Sequence, residues 1–435
     1  MSTIDVQQLR SRAEQGQTES QFLMSQICLQ NKDLEGMIYW LLQSSAKGFP
    51  DALAALGHCH EKGQGVPQDY AAAMTHYDRG IKGGSSAAAF HQAELLFKSQ
   101  QGAERKNHIS DLLVTSAKAG FIPALRTVGY LAIQSTSSQV LGLGCLRRAA
   151  GRGDPVSSFM LGSCLLQARG GNETQYEAQQ CLQVAIHAQF PFANSLLAPL
   201  KSRKFLPTQA TPDSRIEWGT PFTLFPEQRN IHRQLLNSDP EIALFDGVLD
   251  IIDCAYLIFT SRPHMKRADV IDPGSKKGGM VSDIRTSMST YLPFGLVDII
   301  SRHIELKIIS ATGENLALSE PMSILHYTPG QYYRPHVDYF DPKLTVSKEL
   351  LEDGGQRTAS AVTCLLAPAV GGNTSFPRLN LSVPPSGGST LWFRNCFKDN
   401  RVDDRSLHSG DPVEDGEKWV ITKWFRERPT RYLPF

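Results

Sequence analysis

The sequence has almost no net charge, no long apolar run and no closely paired cysteines, and each absence excludes a class of function. Its 44 basic and 43 acidic residues leave a formal charge of +1, so no overall field draws the chain to nucleic acid or to an anionic membrane. Basic pairs such as Arg105-Lys106 and Arg147-Arg148 lack the interleaved aromatics of a nucleic-acid surface and read as solvated helix faces. No run approaches the roughly 18 consecutive apolar residues of a membrane-spanning helix. The opening Met-Ser-Thr-Ile-Asp-Val-Gln-Gln-Leu-Arg lacks the basic-then-apolar order of a secretory signal. The eight cysteines, at 28, 59, 145, 164, 181, 254, 364 and 396, form no C-x-x-C, so reduced buried thiols are expected rather than disulfides. A cytoplasmic, soluble chain follows, with neither nucleic acid nor membrane as partner.

At 435 residues, 41% apolar and 20% charged, the chain has material for two or three cores. Its first half repeats. A small residue followed five positions later by another recurs at Ser20/Ser25, Ala52/Gly57, Ala88/Ala93, Ala124/Gly129, Ser157/Gly162 and Ala193/Ala198, in steps of 32, 36, 36, 33 and 36 residues. Small residues in this rhythm let paired helices approach closely, and glycines near helix ends can adopt the left-handed conformation that stops a helix. The clearest copy, 52–73, carries the turn Gly63-Gln-Gly65-Val66-Pro-Gln-Asp69. It resembles a Sel1-like repeat, a helix-turn-helix relative of the tetratricopeptide repeat. That resemblance implies a stacked α-helical solenoid with a concave face over residues 1–198. Within this copy, His58-Cys59-His60 is no metal motif, because i, i+2 on a helix separates two side chains by about 200°.

Residues 199–215 contain three prolines and lose the helical period. A linker and lead-in are therefore expected over 199–240, and a second domain over 241–435. In that domain 245–259 reads as a short strand entering an amphipathic helix, and 297–304 as another helix. From Glu320 onward short apolar segments (322–327, 332–338, 359–366, 390–393 and 419–425) alternate with Gly/Pro turns. This is the pattern of an antiparallel sandwich or barrel.

The chemistry lies there. His336 and Asp338 stand i, i+2, so an extended segment puts both on one face. With His408 from a distant strand they would make the two-histidine, one-carboxylate set that leaves metal positions open, the signature of a non-haem Fe(II) oxygenase. Lys418, ten residues past His408, supplies a cation where a dicarboxylate co-substrate needs one. Lys423 would lie on the opposite face of the same strand and is set aside.

Tyr327, His336-Val-Asp338, Gly-Gly-Asn-Thr-Ser-Phe-Pro at 371–377, His408 and Gly-Glu-Lys-Trp at 416–419, in this order and spacing, resemble the prolyl 4-hydroxylase family of 2-oxoglutarate- and iron-dependent oxygenases. The resemblance covers roughly residues 240–430. It implies a double-stranded β-helix (jelly roll) with support helices at 245–259 and near 297–304, and a strand at 281–287 before a mobile loop. It also implies Fe(II) on His336, Asp338 and His408, with 2-oxoglutarate on Lys418 and Tyr327. O2 is the co-substrate, ascorbate is a further candidate, and Arg357, Tyr333 and Trp424 lie near the substrate. The family's tyrosine is replaced in Cys364-Leu-Leu-Ala367, and Asn373 stands where the family commonly has a glutamate; neither touches an expected iron ligand.

The whole therefore reads as a multidomain α + β chain: a repeat solenoid followed by an oxygenase. The expected reaction is hydroxylation of a C–H bond, first of a prolyl residue in a protein or peptide docked on the repeats. The alternatives are a free or carrier-tethered amino acid, or a scaffold with an inert oxygenase domain.

Overall fold

In a computed structural model the described residues are 5–99, 103–167, 172–200, 216–227, 231–270, 280–281, 284–293 and 295–430. Most of the expected linker, 201–215, lies outside them, as do 282–283 of the strand expected at 281–287. The chain divides into two compact units, residues 1–157 with 211–224 and residues 158–210 with 225–435.

The first unit is helical: α1 (Val6–Glu14), α2 (Thr18–Gln30), α3 (Leu34–Ala46), α4 (Pro50–Lys62), α5 (Tyr70–Lys82), α6 (Ser86–Lys98), α7 (Lys106–Lys118), α8 (Ile122–Ala132) and α9 (Gln139–Ala150). α10 (Pro155–Gln167) begins at its end and α12 (Ala193–Leu197) lies beyond, after α11 (Asn172–His187). The repeating small residues fall on α2, α4, α6, α8, α10 and α12, the first helix of each pair, save Ala198, which follows α12 and is exposed. α2 packs on α3, α4 on α5, α6 on α7 and α8 on α9. A Cβ on Gly57 would stand 2.7 Å from the Tyr77 ring, and one on Gly129 2.7 Å from Leu146, so the period marks helix contacts. Gly63 closes α4 at φ +67°, and Asp69 opens α5 by accepting the Ala72 N–H at 2.9 Å.

Inside this unit Glu61 is buried and holds Lys98 Nζ at 3.0 Å and the Tyr77 hydroxyl at 2.8 Å. Burial alone would raise its carboxyl, but the Lys98 and Lys62 ammoniums hold it down at about 2. His58 lies beside His91 (ring centroids 4.8 Å apart) whereas His60 stacks on His76 (5.4 Å), so the two histidines face different neighbours.

The second unit holds α11, α12 and the strands. In chain order these are β1 (Arg233–Ser238), β2 (Glu241–Phe245), β3 (Lys266–Arg267), β4 (Asp269–Val270), β5 (Met280–Val281), β6 (Met288–Leu292), β7 (Met322–Tyr327) and β8 (Tyr333–His336). Then come β9 (Arg357–Leu366), β10 (Val370–Gly371), β11 (Thr374–Phe376), β12 (Leu381–Val383), β13 (Thr390–Arg394), β14 (His408–Gly410), β15 (Val413–Asp415) and β16 (Lys418–Arg426). The main sheet runs β1-β2-β13-β9-β16-β7-β6-β3 and a four-stranded sheet runs β12-β11-β14-β8. Every neighbouring pair in both sheets is antiparallel. Ile242, Leu391 and Phe393 of the main sheet pack with Phe376 and Val383 of the smaller one, which makes the two-sheet jelly roll expected from the sequence.

Two helices back the main sheet, α13 (Ile251–Ser261) and α14 (Ile299–Thr312), and the buried pair Asp253–Lys307 (2.7 Å) ties one to the other. Asp250 caps α13 in a capping box with Asp253. Three features differ from the expectation. β1 falls within the stretch read as lead-in, and a helix, α15 (Thr345–Glu352), interrupts the strands. α11 and α12, expected in the array, group with the sheets. The contacts responsible are a stack of Phe159 on Phe190 (4.5 Å) and of Phe190 on Phe259 of α13 (4.4 Å), with Arg262 donating to the Gln189 carbonyl at 3.0 Å. Such aromatic burial is not visible in a repeat period. None of the eight cysteines is in a disulfide, and all but Cys181 are buried.

Candidate active site

His336 ends β8 and His408 begins β14, and the two are cross-strand partners. Asp338 lies just beyond β8, and one ligand atom from each of the three falls within 4.8 Å of the others. Each imidazole is oriented by its own backbone: His336 Nδ1–H donates to the Arg334 carbonyl at 2.9 Å and His408 Nδ1–H to the Ser406 carbonyl at 3.0 Å. Both rings therefore present Nε2, at 3.8 Å from Asp338 Oδ1 for His336 and 3.7 Å from Asp338 Oδ2 for His408. Burial and then the His408 ring push His336 down to about 3. Burial would raise the Asp338 carboxyl, but His408, His336 and Arg357 lower it. Neutral imidazole beside ionised carboxylate is a donor set suited to a divalent transition metal.

Across the pocket, Lys418 of β16 is the cross-strand partner of Tyr327 on β7. Lys418 is buried with its Nζ 5.7 Å from the centre of the Tyr327 ring, and burial brings the ammonium down to about 8 against the pull of Cys364 and Asp411. The same pocket is lined by Tyr333, Trp424, Thr374 and Arg285. Lys423 faces the other way, as its odd spacing from Lys418 predicts: it is buried against Glu305 and the Glu320 carbonyl.

The substrate candidates are placed less uniformly. Tyr333 stacks on His336 with ring centroids 3.5 Å apart, and the Arg285 guanidinium lies over the Tyr333 ring, 5.0 Å from its centroid. Trp424 lines the pocket, and its Nε1 is buried with no hydrogen-bond partner among the described residues. Arg357 lies 3.9 Å over the Trp424 ring, but its Nε and Nη2 each donate to Glu320 at 2.7 Å. Its fork is thus already occupied.

Residues 322–426 match the family model of the 2OG-Fe(II) oxygenase superfamily. The chain is 34% identical over 210 residues to the Arabidopsis thaliana protein named "Probable prolyl 4-hydroxylase 3", a match that spans 44% of this chain and 71% of that one. The chain belongs to the prolyl 4-hydroxylase family. Prolyl 4-hydroxylase 1 of Arabidopsis thaliana is 30% identical over 219 residues, covering 46% of this chain and 74% of that protein. Among solved structures, the viral collagen prolyl hydroxylase of Paramecium bursaria Chlorella virus-1 is similar (26% identity, 42% of this chain, 95% of that one, TM-score 0.33). So is a Sel1 repeat protein from Oxalobacter formigenes (24% identity, 42% and 78%, TM-score 0.36).

This member of the family is a 2-oxoglutarate- and Fe(II)-dependent dioxygenase with O2 as co-substrate. The donor set of His336, Asp338 and His408 fits the metal that the family uses. Sequence reading missed several side chains around it. Thr374 and Arg285 line the pocket, and Ser360 donates to Asp338 Oδ2 at 2.6 Å. Arg285 sits in a segment already singled out, and Ser360 is two residues from Val362, which lines the same pocket, so alternation along β9 carried a signal for Ser360.

Proposed function

We propose that this oxygenase hydroxylates a prolyl residue of a protein or peptide. The reading rests on the pocket in which a two-histidine, one-carboxylate set faces a buried lysine, and its substrate class on the names of the relatives. His336 and His408 offer Nε2 and Asp338 a carboxylate oxygen to Fe(II). Lys418 pairs with the remote carboxylate of 2-oxoglutarate, where an unpaired buried anion would cost several kcal/mol, and the Tyr327 hydroxyl donates to the same co-substrate. When bound, iron with 2-oxoglutarate and O2 supplies the oxidising power that turns C–H into C–OH, with succinate and CO2 as the other products. Tyr333 covers one face of His336 and keeps bulk water from it. Arg357, held by Glu320, fixes the Trp424 ring as a wall for the target residue rather than gripping the target itself.

The functional parts we assign are the repeats, 1–198, whose last helices, α11 and α12, group with the sheet unit, and the oxygenase, 241–435. The repeats serve as the docking surface: an open groove bordered by Phe22, Met37, Leu41, His58, His91 and Phe121 offers flat rings to an extended proline-containing segment. The cysteines, none of them in a disulfide, suit a reducing compartment, and a cytoplasmic location is proposed. Among the described residues no helix is long and apolar enough to cross a membrane.

The test is succinate formation dependent on Fe(II) and 2-oxoglutarate, with ascorbate present, together with mass spectrometry of treated peptides. A +16 Da product on proline is expected. Turnover confined to free amino acids would overturn the peptide reading, and no turnover on any pool would favour a scaffold.

A further inference from the structure

The metal-site carboxylate does not stand alone. Asp338 Oδ2 accepts the Ser360 hydroxyl at 2.6 Å, and Ser360 Oγ in turn accepts the Asn395 Nδ2–H at 2.9 Å. Ser360 and Asn395 are fully buried, at 0% exposure, and Asp338 is 6% exposed. An amide NH2 can only donate, so the Asn395 amide leaves Ser360 one direction for its own proton, toward the carboxylate. Among the described residues Asp338 Oδ1 receives no hydrogen bond; it lies 3.8 Å from His336 Nε2, while Oδ2, 3.7 Å from His408 Nε2, carries the Ser360 bond. The other end of the Asn395 amide, Oδ1, is buried with no hydrogen-bond partner among the described residues.

The backbone makes the relay rigid. Ser360 is the cross-strand partner of Phe393 on one side and of Trp424 on the other, in the middle of the main sheet. The Asn395 N–H donates to the Thr358 carbonyl at 2.9 Å, and its carbonyl accepts the Asp403 N–H at 3.0 Å. Both groups come from the main sheet or its immediate extension, whereas His336 and His408 lie on the smaller sheet.

We propose that Asn395 and Ser360 are positioning residues for the metal site: the amide turns the serine hydroxyl onto Asp338 Oδ2 and so reserves Oδ1 as the single oxygen offered to Fe(II). A carboxylate held by one oxygen keeps three ligand positions filled by protein, and one that bound through both would take a position that 2-oxoglutarate or O2 requires. The inference rests on the metal-site reading above and adds the side chains that orient one of its ligands.

The test is anaerobic Fe(II) titration of the full-length protein, with the visible charge-transfer band of the Fe(II)–2-oxoglutarate complex as a second readout. Ser360→Ala should weaken Fe(II) binding by about 10- to 100-fold, because the Asp338 carboxylate is no longer held in place, and should shift the band, because Oδ2 is no longer masked. Ser360→Thr keeps the hydroxyl and should restore wild-type affinity and band position. Asn395→Asp replaces the donor by an acceptor, turns the serine proton away from Asp338 and should resemble Ser360→Ala. A wild-type Fe(II) affinity and band in Ser360→Ala, or a threonine variant as impaired as the alanine one, overturns the relay. Should Ser360→Ala fail to fold, unchanged Fe(II) affinity in Asn395→Asp overturns it equally. Failure of the wild-type protein to bind Fe(II) would sink the metal-site reading instead, which keeps the two distinguishable.

Discussion

His408 faces His336 across the antiparallel pair β14 and β8, and each ring is locked by a hydrogen bond from Nδ1 to the carbonyl two residues before it. Two proposed ligands far apart in the chain thus share one strand register. Replacing either by alanine should weaken Fe(II) binding by more than the roughly 100-fold that an outer-shell change causes. Anaerobic titration of the two variants measures it, and wild-type affinity in either would remove that residue from the ligand set.

Lys418 gives a pH dependence with a definite sign. Burial sets its ammonium at about 8, so the charged form that attracts a dianion is present below that value and lost as pH rises through it. The apparent KM for 2-oxoglutarate should therefore climb above about pH 8, while kcat at saturating co-substrate changes less. Bound dianion will move the transition upward, because it favours the ammonium. Lys418→Ala should show a raised KM at every pH. A flat KM profile in the wild type would contradict the assigned role.

In the repeat unit, the buried Glu61 offers a test by charge removal. Lys98→Met strips one of its buried partners (3.0 Å away) and should cost about 3–5 kcal/mol, the usual loss when one member of a buried pair is taken away. The carboxyl sits at about 2 when folded against 4.5 ordinarily. Its contribution is thus complete above about pH 4.5 and is lost as pH falls toward 2. Urea unfolding of the wild type and Lys98→Met at neutral pH and near pH 3 checks both the size and the sign.

Gly57→Ala separates packing from propensity. In an isolated helix alanine would gain about 1 kcal/mol over glycine. Here the new Cβ would meet the Tyr77 ring at 2.7 Å and the Ala73 carbonyl at 3.2 Å, and overpacking costs about 1–3 kcal/mol. Net destabilisation is expected in denaturant melts. A more stable variant would mean that α4 and α5 can separate freely at this point.

Much of this architecture was legible in the chain because short-range spacing has geometric consequences. A small-residue pair every 32 to 36 positions forces one helix of each pair to meet its neighbour closely, and Gly57 against Tyr77 is that contact. Likewise i, i+2 puts His336 and Asp338 together, and the odd interval between Lys418 and Lys423 sends one into the pocket and the other to Glu305.

Other features had no local trace. Arg357 reads as a residue near the substrate until the fold brings Glu320 to its fork. α11 and α12 continue the repeat period yet belong with the sheets, since Phe190 stacks on Phe159 and Phe259. Ser360 and Asn395 are unremarkable letters until β9 and β13 pair.

By itself, then, the sequence determined which residues share a face, because backbone period is a property of neighbouring residues. Tertiary structure alone decided which faces meet. Strand register and core packing join segments that no spacing rule connects, and so they chose Glu320 for Arg357 and Ser360 for Asp338.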